Sequence, residues 1–491
     1  MSAVDSIFSL ATLLAELGED ATAADLRSVG DIACSGASQD SRSVRLGDLF
    51  VALNGSEFRG SDFIAAAEAA GAAAVLSEAQ PSVVSQIPVF VVPSLRTRLG
   101  IIAEVAYRTA ARGMRLFGVT GTNGKTSTTT YVFRLLRELG VPAGLSASHL
   151  QVSGDNYRYS PLTTPECLDL HRFLFELRAA GQQAAAVEVS AHALDRNRVD
   201  GLRFEVAGFT NLARDHLDDF GTMEQYRSAK ARLFTPEHSR RAVINVTNEH
   251  GEWIHANAAV PAESIGESGD WQLELAHGSF SLLHRNGVRY QRSFGSSRIV
   301  AENLSVALAM LHAAGFPATE LQAALPRLDL QIPGRLERFE LPAKGLSIFL
   351  DYAHTPAAVE AAVDSLAALR DNPDLTVIIG ASGNRDKGKR PEMGFAAAGA
   401  ARLVVTDQHP RHEDPAQIRE ALKRGALMRL PSSAIYEEAD PERALDLAIQ
   451  LTQPGGSILW CGPGDLDYRE VGGAKISFSA RQLIEDRVKS D

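Results

Sequence analysis

Cysteine is scarce: Cys34, Cys167 and Cys461 are the three in 491 residues, and they stand far apart. That spacing gives neither a disulfide framework nor a clustered metal-ligand motif. Long apolar runs are missing as well, since none approaches the roughly 18 residues that cross a bilayer. Positive charge is in deficit: 49 Lys and Arg against 60 Asp and Glu leave a formal charge of -11. This argues against nucleic-acid or membrane-surface partners, while leaving room for a local basic cluster around a small anion. The opening MSAVDSIFSL carries an acidic residue and no basic leader, so no secretory signal is expected. The expected compartment is the cytoplasm.

What is present is alternation. Apolar, β-branched stretches alternate with alanine-rich helical patterns almost throughout, which predicts α/β architecture with mainly parallel sheets. The length exceeds what one hydrophobic core serves, so several domains are expected. The first, over 1–110, contains the strands DLFVAL and PVFVVP around an expected helix at Asp62–Ala74. A second, 111–332, starts near Arg112, where LFGVT runs into a glycine-rich loop and a long helix. A third, 333–491, starts near Pro333 and carries SIFLDYAH, LTVIIGAS, ARLVVTD and SILWCG. Each of these apolar runs ends in polar or glycine residues, where doubly wound sheets collect ligands. Neither an internal repeat nor a low-complexity linker interrupts the pattern.

The most informative stretch is LFGVTGTNGKTSTTT. A buried strand ends near Val119, Gly121 and Gly124 permit a tight turn around Thr122 and Asn123, and Lys125 and Thr126 open a helix. Glycines let backbone N–H groups approach phosphate, the helix terminus adds positive potential, and Lys125 adds a full charge. The hydroxyls of Thr126 and Ser127 stand where such loops hold Mg²⁺. The spacing is GxxGxxGK[ST] rather than GxxxxGK[ST]. A glycine turn with a surface lysine is the plainer reading; strand, turn, lysine and hydroxyls together point to a nucleotide site.

Two further strands end in polar groups. AAVEVSAHALDRNRV places Glu188, Ser190, His192 and Arg198 at one strand end, and VAGFTNLARDHLDDF places Asn211, Asp215 and His216 at another. A carboxylate with a neutral imidazole is a reasonable partial ligand set for Mg²⁺, phosphate oxygens completing it. Taken singly, each has a plainer role: His216 as a structural histidine, Glu188 as a helix cap, Lys230 as a solvated lysine on a helix Met223–Phe234.

Together these motifs resemble the Mur ligases, and the resemblance runs through nearly the whole chain. It includes QDSRSVRLGDLFVAL, GTNGKTS, TTPE at Thr163–Glu166, EVSAHAL, FTNLARDHLD, PGRLER at Pro333–Arg338, DYAHTP at Asp351–Pro356 and GNRDKGKRPEM at Gly383–Met393. The resemblance implies three domains: a central P-loop-type parallel sheet flanked by an N-terminal α/β UDP-binding domain and a C-terminal Rossmann-like domain. It also implies a cytoplasmic, monomeric ligase that uses ATP and Mg²⁺. That enzyme would join an amino acid to the D-glutamyl carboxylate of UDP-N-acetylmuramoyl-L-alanyl-D-glutamate through an acyl phosphate, in peptidoglycan precursor synthesis. By the same resemblance Ser41 lies in the UDP-binding domain, and Thr163, Thr164, Ser190 and Arg198 contact the muramyl peptide. Thr126, Glu188 and His216 hold metal, Lys230 is the lysine the family carbamylates, and Asn303, Arg335 and Asp351 complete the ATP site beside His354.

The departures concentrate on the acceptor amino acid, assigned to Arg385, His409, Arg411, Gly462 and Leu466. Diaminopimelate-adding members carry Asp-Asn-Pro-Arg where Gln408–Arg411 stands, and Gly-Lys-Gly-His-Glu where Gly462–Leu466 stands. Arg411 remains, able to pair with an amino-acid carboxylate, while Leu466 replaces a glutamate. Gly60-Ser61 replaces a Gly-His of the uridine region, and of the adenine motif Asn303 alone is kept. The expectation is an amide ligase with an altered acceptor pocket. The alternative is a related ligase joining a different carboxylate and amine in a specialised pathway. Folylpolyglutamate synthetases have glycine after the loop lysine, and dinucleotide oxidoreductases need a GxGxxG that is missing here. An ATP-sensing regulator would hydrolyse ATP without needing both an acid and an amine.

Overall fold

Along Arg115–Thr120 the side chains leave in opposite directions: Phe117 and Val119 enter one core, Leu116 another. Ala184–Glu188 repeats this, with Ala184 and Ala186 on the first side and Ala185 and Val187 on the second. A sheet buried on both faces needs near-continuous apolar strands, which is the pattern of parallel α/β sheets. These strands lie at the centre of a computed structural model that describes residues 7–18, 32–55, 58–81, 84–109, 113–148, 150–276, 279–293, 298–368 and 374–490.

The central sheet has a parallel core ordered Ala143–Ala147, Ala184–Glu188, Arg115–Thr120, Val206–Phe209, Ala242–Asn245, Ala262–Ile265. The helices Lys125–Glu138 and Arg298–Ala313 cover the first face, and Cys167–Ala179 packs into the second. Hairpins extend both edges, so the sheet reaches 11 strands and is less uniformly parallel than expected. One hairpin joins Leu150–Ser153 to Asn156–Tyr159 through Gly154 at φ +59° and Asp155. A two-residue turn can link only antiparallel neighbours, whereas helical crossovers produce the parallel ones.

Before this unit, four parallel strands form a small sheet ordered Gly36–Ser38, Asp48–Ala52, Ala74–Ser77, Val89–Val91. The helix expected over Asp62–Ala74 is shorter: a 3₁₀ turn Gly60–Phe63 leads into Ile64–Ala69. Gly71, at φ +96°, then turns the chain into the next strand. Arg172 ties this sheet to the central unit, its guanidinium lying 2.7 Å from Asp48 and donating to the Ala37 carbonyl and the Tyr107 hydroxyl.

The third sheet is ordered Glu337–Leu341, Leu346–Asp351, Ser457–Cys461, Leu375–Ile379, Arg402–Val405, Ile435–Glu437. All neighbours run parallel except the first pair, which gives a Rossmann-like sheet with one antiparallel edge. The expected start near Arg112 lies outside the described residues, whereas Pro333 sits just ahead of the third sheet. Among the described residues no helix is long and apolar enough to cross a membrane.

Candidate active site

The strand Arg115–Thr120 delivers the glycine loop to the carboxyl edge of the central sheet, beside the ends of Ala184–Glu188 and Val206–Phe209. Gly124 has φ +81° and precedes the helix Lys125–Glu138. A Cβ there would lie 2.1 Å from Asn303 Oδ1, and one at Gly121 would lie 1.9 Å from Thr210 Oγ1. Only glycine fits either position. The neighbouring strand end staples the loop: Thr122 N donates to the Asn211 carbonyl (2.8 Å), Asn123 N to Asn211 Oδ1 (3.0 Å), and Thr210 Oγ1 to the Asn123 carbonyl (2.6 Å). These bonds fix the loop against the strand end at Thr210 and Asn211. Lys125 Nζ donates to the Thr122 carbonyl at 2.9 Å, and burial lowers its pKa.

Glu188 ends its strand with the carboxylate aimed at the loop helix. It accepts from Thr126 Oγ1 (2.9 Å), Ser148 N (2.8 Å) and Ser148 Oγ (3.1 Å). The cap of the following helix is Ser190, whose hydroxyl accepts from Ala193 N; Glu188 is therefore no helix cap.

Lys230 is equally far from its plainer role. The α-helix that carries it runs Met223–Ala231 and continues as a 3₁₀ turn to Phe234. Lys230 faces inward, 1% exposed. Its Nζ donates to the Gly121 carbonyl at 2.6 Å and lies 4.4 Å from the centre of the Tyr226 ring. Burial and then the nearby Lys125 push its pKa well below the usual lysine value.

His216 is left-handed at φ +55°, with Nε2 3.3 Å from Asp215 Oδ2. Burial outweighs that carboxylate and holds its pKa down at about 3, so the ring is neutral and able to coordinate. Asp215 joins two units: His354 Nε2 is 3.7 Å from Oδ2 and Lys389 Nζ is 3.1 Å from Oδ1. Burial alone would raise its pKa, but these partners hold it well below the usual carboxylate range.

The third sheet faces the loop. Arg335 stacks over the Tyr352 ring at 4.4 Å, its guanidinium 3.5 Å from Thr126 Oγ1. Asp351 accepts from the backbone N–H groups of Leu336 and Ala353, each at 2.7 Å. Between the two sheets lies a cavity of about 410 Å³ whose lining includes Lys125, Thr126, Glu188, Asn303, Arg335 and Asp351. Thr122, Asn123, Gly124, Ser127, Thr163, His216 and His354 line it as well.

Other expected residues are placed elsewhere. The Thr164 hydroxyl is buried, donating to the Glu188 carbonyl and accepting from Ser190 N. Arg198 pairs with Glu166 at 2.6 Å and donates to the Thr164 carbonyl. Ser41 lies in a 3₁₀ turn of the first sheet's unit, Ser41–Ser43. The acceptor set gathers at carboxyl ends of the third sheet, outside the cavity lining. There Gly383 N donates to the His409 carbonyl, and a Cβ at Gly462 would meet Gln408. Arg411 Nε is 2.7 Å from Glu470 Oε2, so its charge is already paired. Leu466 is buried, and Arg385 pairs with Asp218 at 3.6 Å. Ser148 and Lys389 were not singled out from the sequence. Ser148 follows the strand Ala143–Ala147 and was findable by the strand-end rule.

Comparison with known proteins agrees with this arrangement. The Mur ligase family catalytic domain matches residues 34–107, the Mur ligase middle domain 119–308, and the Mur ligase glutamate ligase domain 334–464. A UDP-N-acetylmuramyl-tripeptide synthetase of Leifsonia xyli subsp. xyli is 40% identical, over 91% of this chain and 90% of that protein. A UDP-N-acetylmuramoyl-L-alanyl-D-glutamate–2,6-diaminopimelate ligase of Xanthomonas campestris pv. campestris is 37% identical, over 92% and 94%. A solved structure of a ligase with that same description superimposes with a TM-score of 0.63 at 29% identity, covering 93% of this chain and 94% of the other. Glycine loop, buried carboxylate and facing third sheet, carried on a chain matched over 91% of its length by one relative, make this protein a member of the Mur ligase family.

Proposed function

We propose that the chain is an ATP-dependent, ADP-forming ligase of peptidoglycan precursor synthesis. In this reading it joins an amino acid to the D-glutamyl carboxylate of UDP-N-acetylmuramoyl-L-alanyl-D-glutamate. The observation that carries the reading is the cavity itself: the glycine loop with Lys125 on one wall, Arg335 and Asp351 of the third sheet on the other. Its glycine positions admit no side chain, which suits backbone contact with phosphate.

In the first step an oxygen of the substrate carboxylate bonds to the γ-phosphorus of ATP, and the bond to the β,γ-bridging oxygen breaks to release ADP. The acceptor amine then bonds to the acyl carbon, and phosphate leaves as the nitrogen loses its proton. Two anions must meet in the first step, so Lys125 and Arg335 offset their repulsion and hold them in line. The third sheet, docked over the loop through Asp215 with Lys389 and His354, excludes water from the acyl phosphate. The Thr126 hydroxyl and Glu188 carboxylate form an oxygen donor set that fits Mg²⁺, with His216 beside them; the ion supplies charge neutralisation there. Lys230, buried with a depressed pKa, is suited to react with carbon dioxide as a neutral amine and become an anionic carbamate. Residues 1–110, 111–332 and 333–491 act as nucleotide-sugar, ATP and amino-acid domains of a cytoplasmic monomer.

The test is phosphate release from ATP with UDP-N-acetylmuramoyl-L-alanyl-D-glutamate and a panel of amino acids including diaminopimelate and ornithine, with product mass read directly. Turnover with one amine establishes the ligase and names its acceptor. Folded, ATP-binding protein that stays silent across the panel overturns the muramyl-peptide reading.

A further inference from the structure

Beside the cavity, three side chains converge that the proposed reaction does not use together. His192 stands in the short helix Ala191–Asp195, and Asp219 in the turn of helix Leu217–Phe220. His216 precedes that turn in a left-handed conformation, φ +55°. Its ring meets the His192 ring edge-on, with centroids 4.9 Å apart and planes at 89°. His192 Nε2 is 2.9 Å from Asp219 Oδ2, and one donor atom from each of the three residues lies within 4.8 Å of the others. Phe220 packs against the His192 ring at 5.0 Å and Tyr226 against the His216 ring at 6.0 Å, so both imidazoles are held from behind.

We propose that His192, His216 and Asp219 form a site for a transition-metal dication of the zinc class. The donor types decide the class: imidazole nitrogen suits Zn²⁺, Co²⁺, Ni²⁺ and Cu²⁺, whereas Mg²⁺ and Ca²⁺ select oxygen. Metal–ligand bonds of about 2.1 Å set ligands roughly 3.4 Å apart around a tetrahedral ion. Binding of the ion requires the 2.9 Å His192–Asp219 pair to open and all three donors, now within 4.8 Å of one another, to settle at that spacing. The proton now shared by His192 Nε2 and Asp219 moves to Nδ1 as the metal takes its place. Side-chain exposures of 22% for His192, 38% for His216 and 39% for Asp219 leave a path for the ion and room for water as a fourth ligand. The plainer role of the His192–Asp219 contact is a surface hydrogen bond, which requires neither the third side chain nor its ring orientation.

His216 borders both this cluster and the nucleotide cavity. A zinc-class ion here withdraws it from the Mg²⁺ donor set, so the site is inhibitory; that consequence rests on the function proposed above, whereas the binding itself does not.

The experiment is titration of the full-length protein with Co²⁺, without nucleotide or substrate, following the visible ligand-field absorption. One site per chain is expected. His192→Ala and Asp219→Asn should each weaken it by roughly tenfold or more while circular dichroism stays unchanged. Bands retained at full affinity in both variants, or no bands in the wild-type protein, overturn the proposal. Asp219→Asn keeps size and surface position, so a folding defect in His192→Ala would not spoil the test.

Discussion

The Thr126 hydroxyl donates to the Glu188 carboxylate at 2.9 Å, joining the loop helix to the end of the adjacent strand where the cavity begins. Glu188 is 1% exposed, and Ser148 supplies its remaining donors. Lys125 lies within electrostatic reach of this carboxylate, and a buried anion is costly unless cations complete its site. Glu188→Gln keeps the shape and removes the charge. Phosphate release should fall by roughly 10²–10³-fold, and the Mg²⁺ concentration for half-maximal rate should rise. Unchanged Mg²⁺ dependence at full rate would remove Glu188 from the metal set.

Two glycines separate backbone strain from steric exclusion. Gly124 and Gly140 have φ +81° and +75°; a Cβ on Gly124 would lie 2.1 Å from Asn303 Oδ1, whereas nothing lies within 4 Å of one on Gly140. Gly140→Ala should therefore cost about 1–2 kcal/mol, the left-handed penalty alone. Gly124→Ala should cost more and also weaken ATP binding, because Asn303 must move. Chemical denaturation and nucleotide titration of both variants check this; equal losses would place Asn303 outside the loop's constraints.

The loop was legible because a glycine turn between strand and helix is a local device: all three lie within one short stretch, GVTGTNGKT. Glu188 was legible for a similar reason, as a polar residue ending an apolar strand. Contacts between units were not. Lys389 belongs to the quoted GNRDKGKR motif, yet its partner Asp215 is 174 positions away and is set by how the third sheet docks. Side-chain direction was equally hidden. TTPE marks Thr163 and Thr164 alike, but Thr163 faces the cavity while the Thr164 hydroxyl turns into the backbone of Glu188 and Ser190. Arg411 kept its motif position, and nothing local announced Glu470 as its partner.

Lys230 tests the carbamate part of the proposed mechanism. Burial and the neighbouring Lys125 disfavour its charged form, despite the Gly121 carbonyl and the Tyr226 ring beside it. Lys230→Ala should lose most phosphate release, and acetate or formate should restore part of it by supplying an anion in the gap. Wild-type activity should also fall in carbon dioxide-depleted buffer. Undiminished activity in Lys230→Ala would sink the idea.

His171 predicts how stability depends on pH. It is fully buried, with Nε2–H donating to the Asp200 carbonyl at 3.0 Å and Nδ1 turned to the Thr109 hydroxyl. Burial holds its pKa down at about 4, against an ordinary 6.5. Between those values the unfolded chain binds a proton that the folded chain refuses. Stability is therefore complete above pH 6.5 and is lost as pH falls toward 4, by up to about 1.4 kcal/mol per pH unit from this residue. His409, also held at about 4 by burial, and His216, held at about 3, act in the same window, so the wild-type slope includes their contributions as well. His171→Gln keeps a donor for the Asp200 carbonyl and removes the titration. The variant should be less stable at pH 7.5 yet lose less on acidification, so its melting temperature between pH 6.5 and 4.5 should fall less steeply than the wild-type curve. Parallel curves would mean that His171 titrates with its ordinary pKa, or that the folded chain accommodates the charged ring.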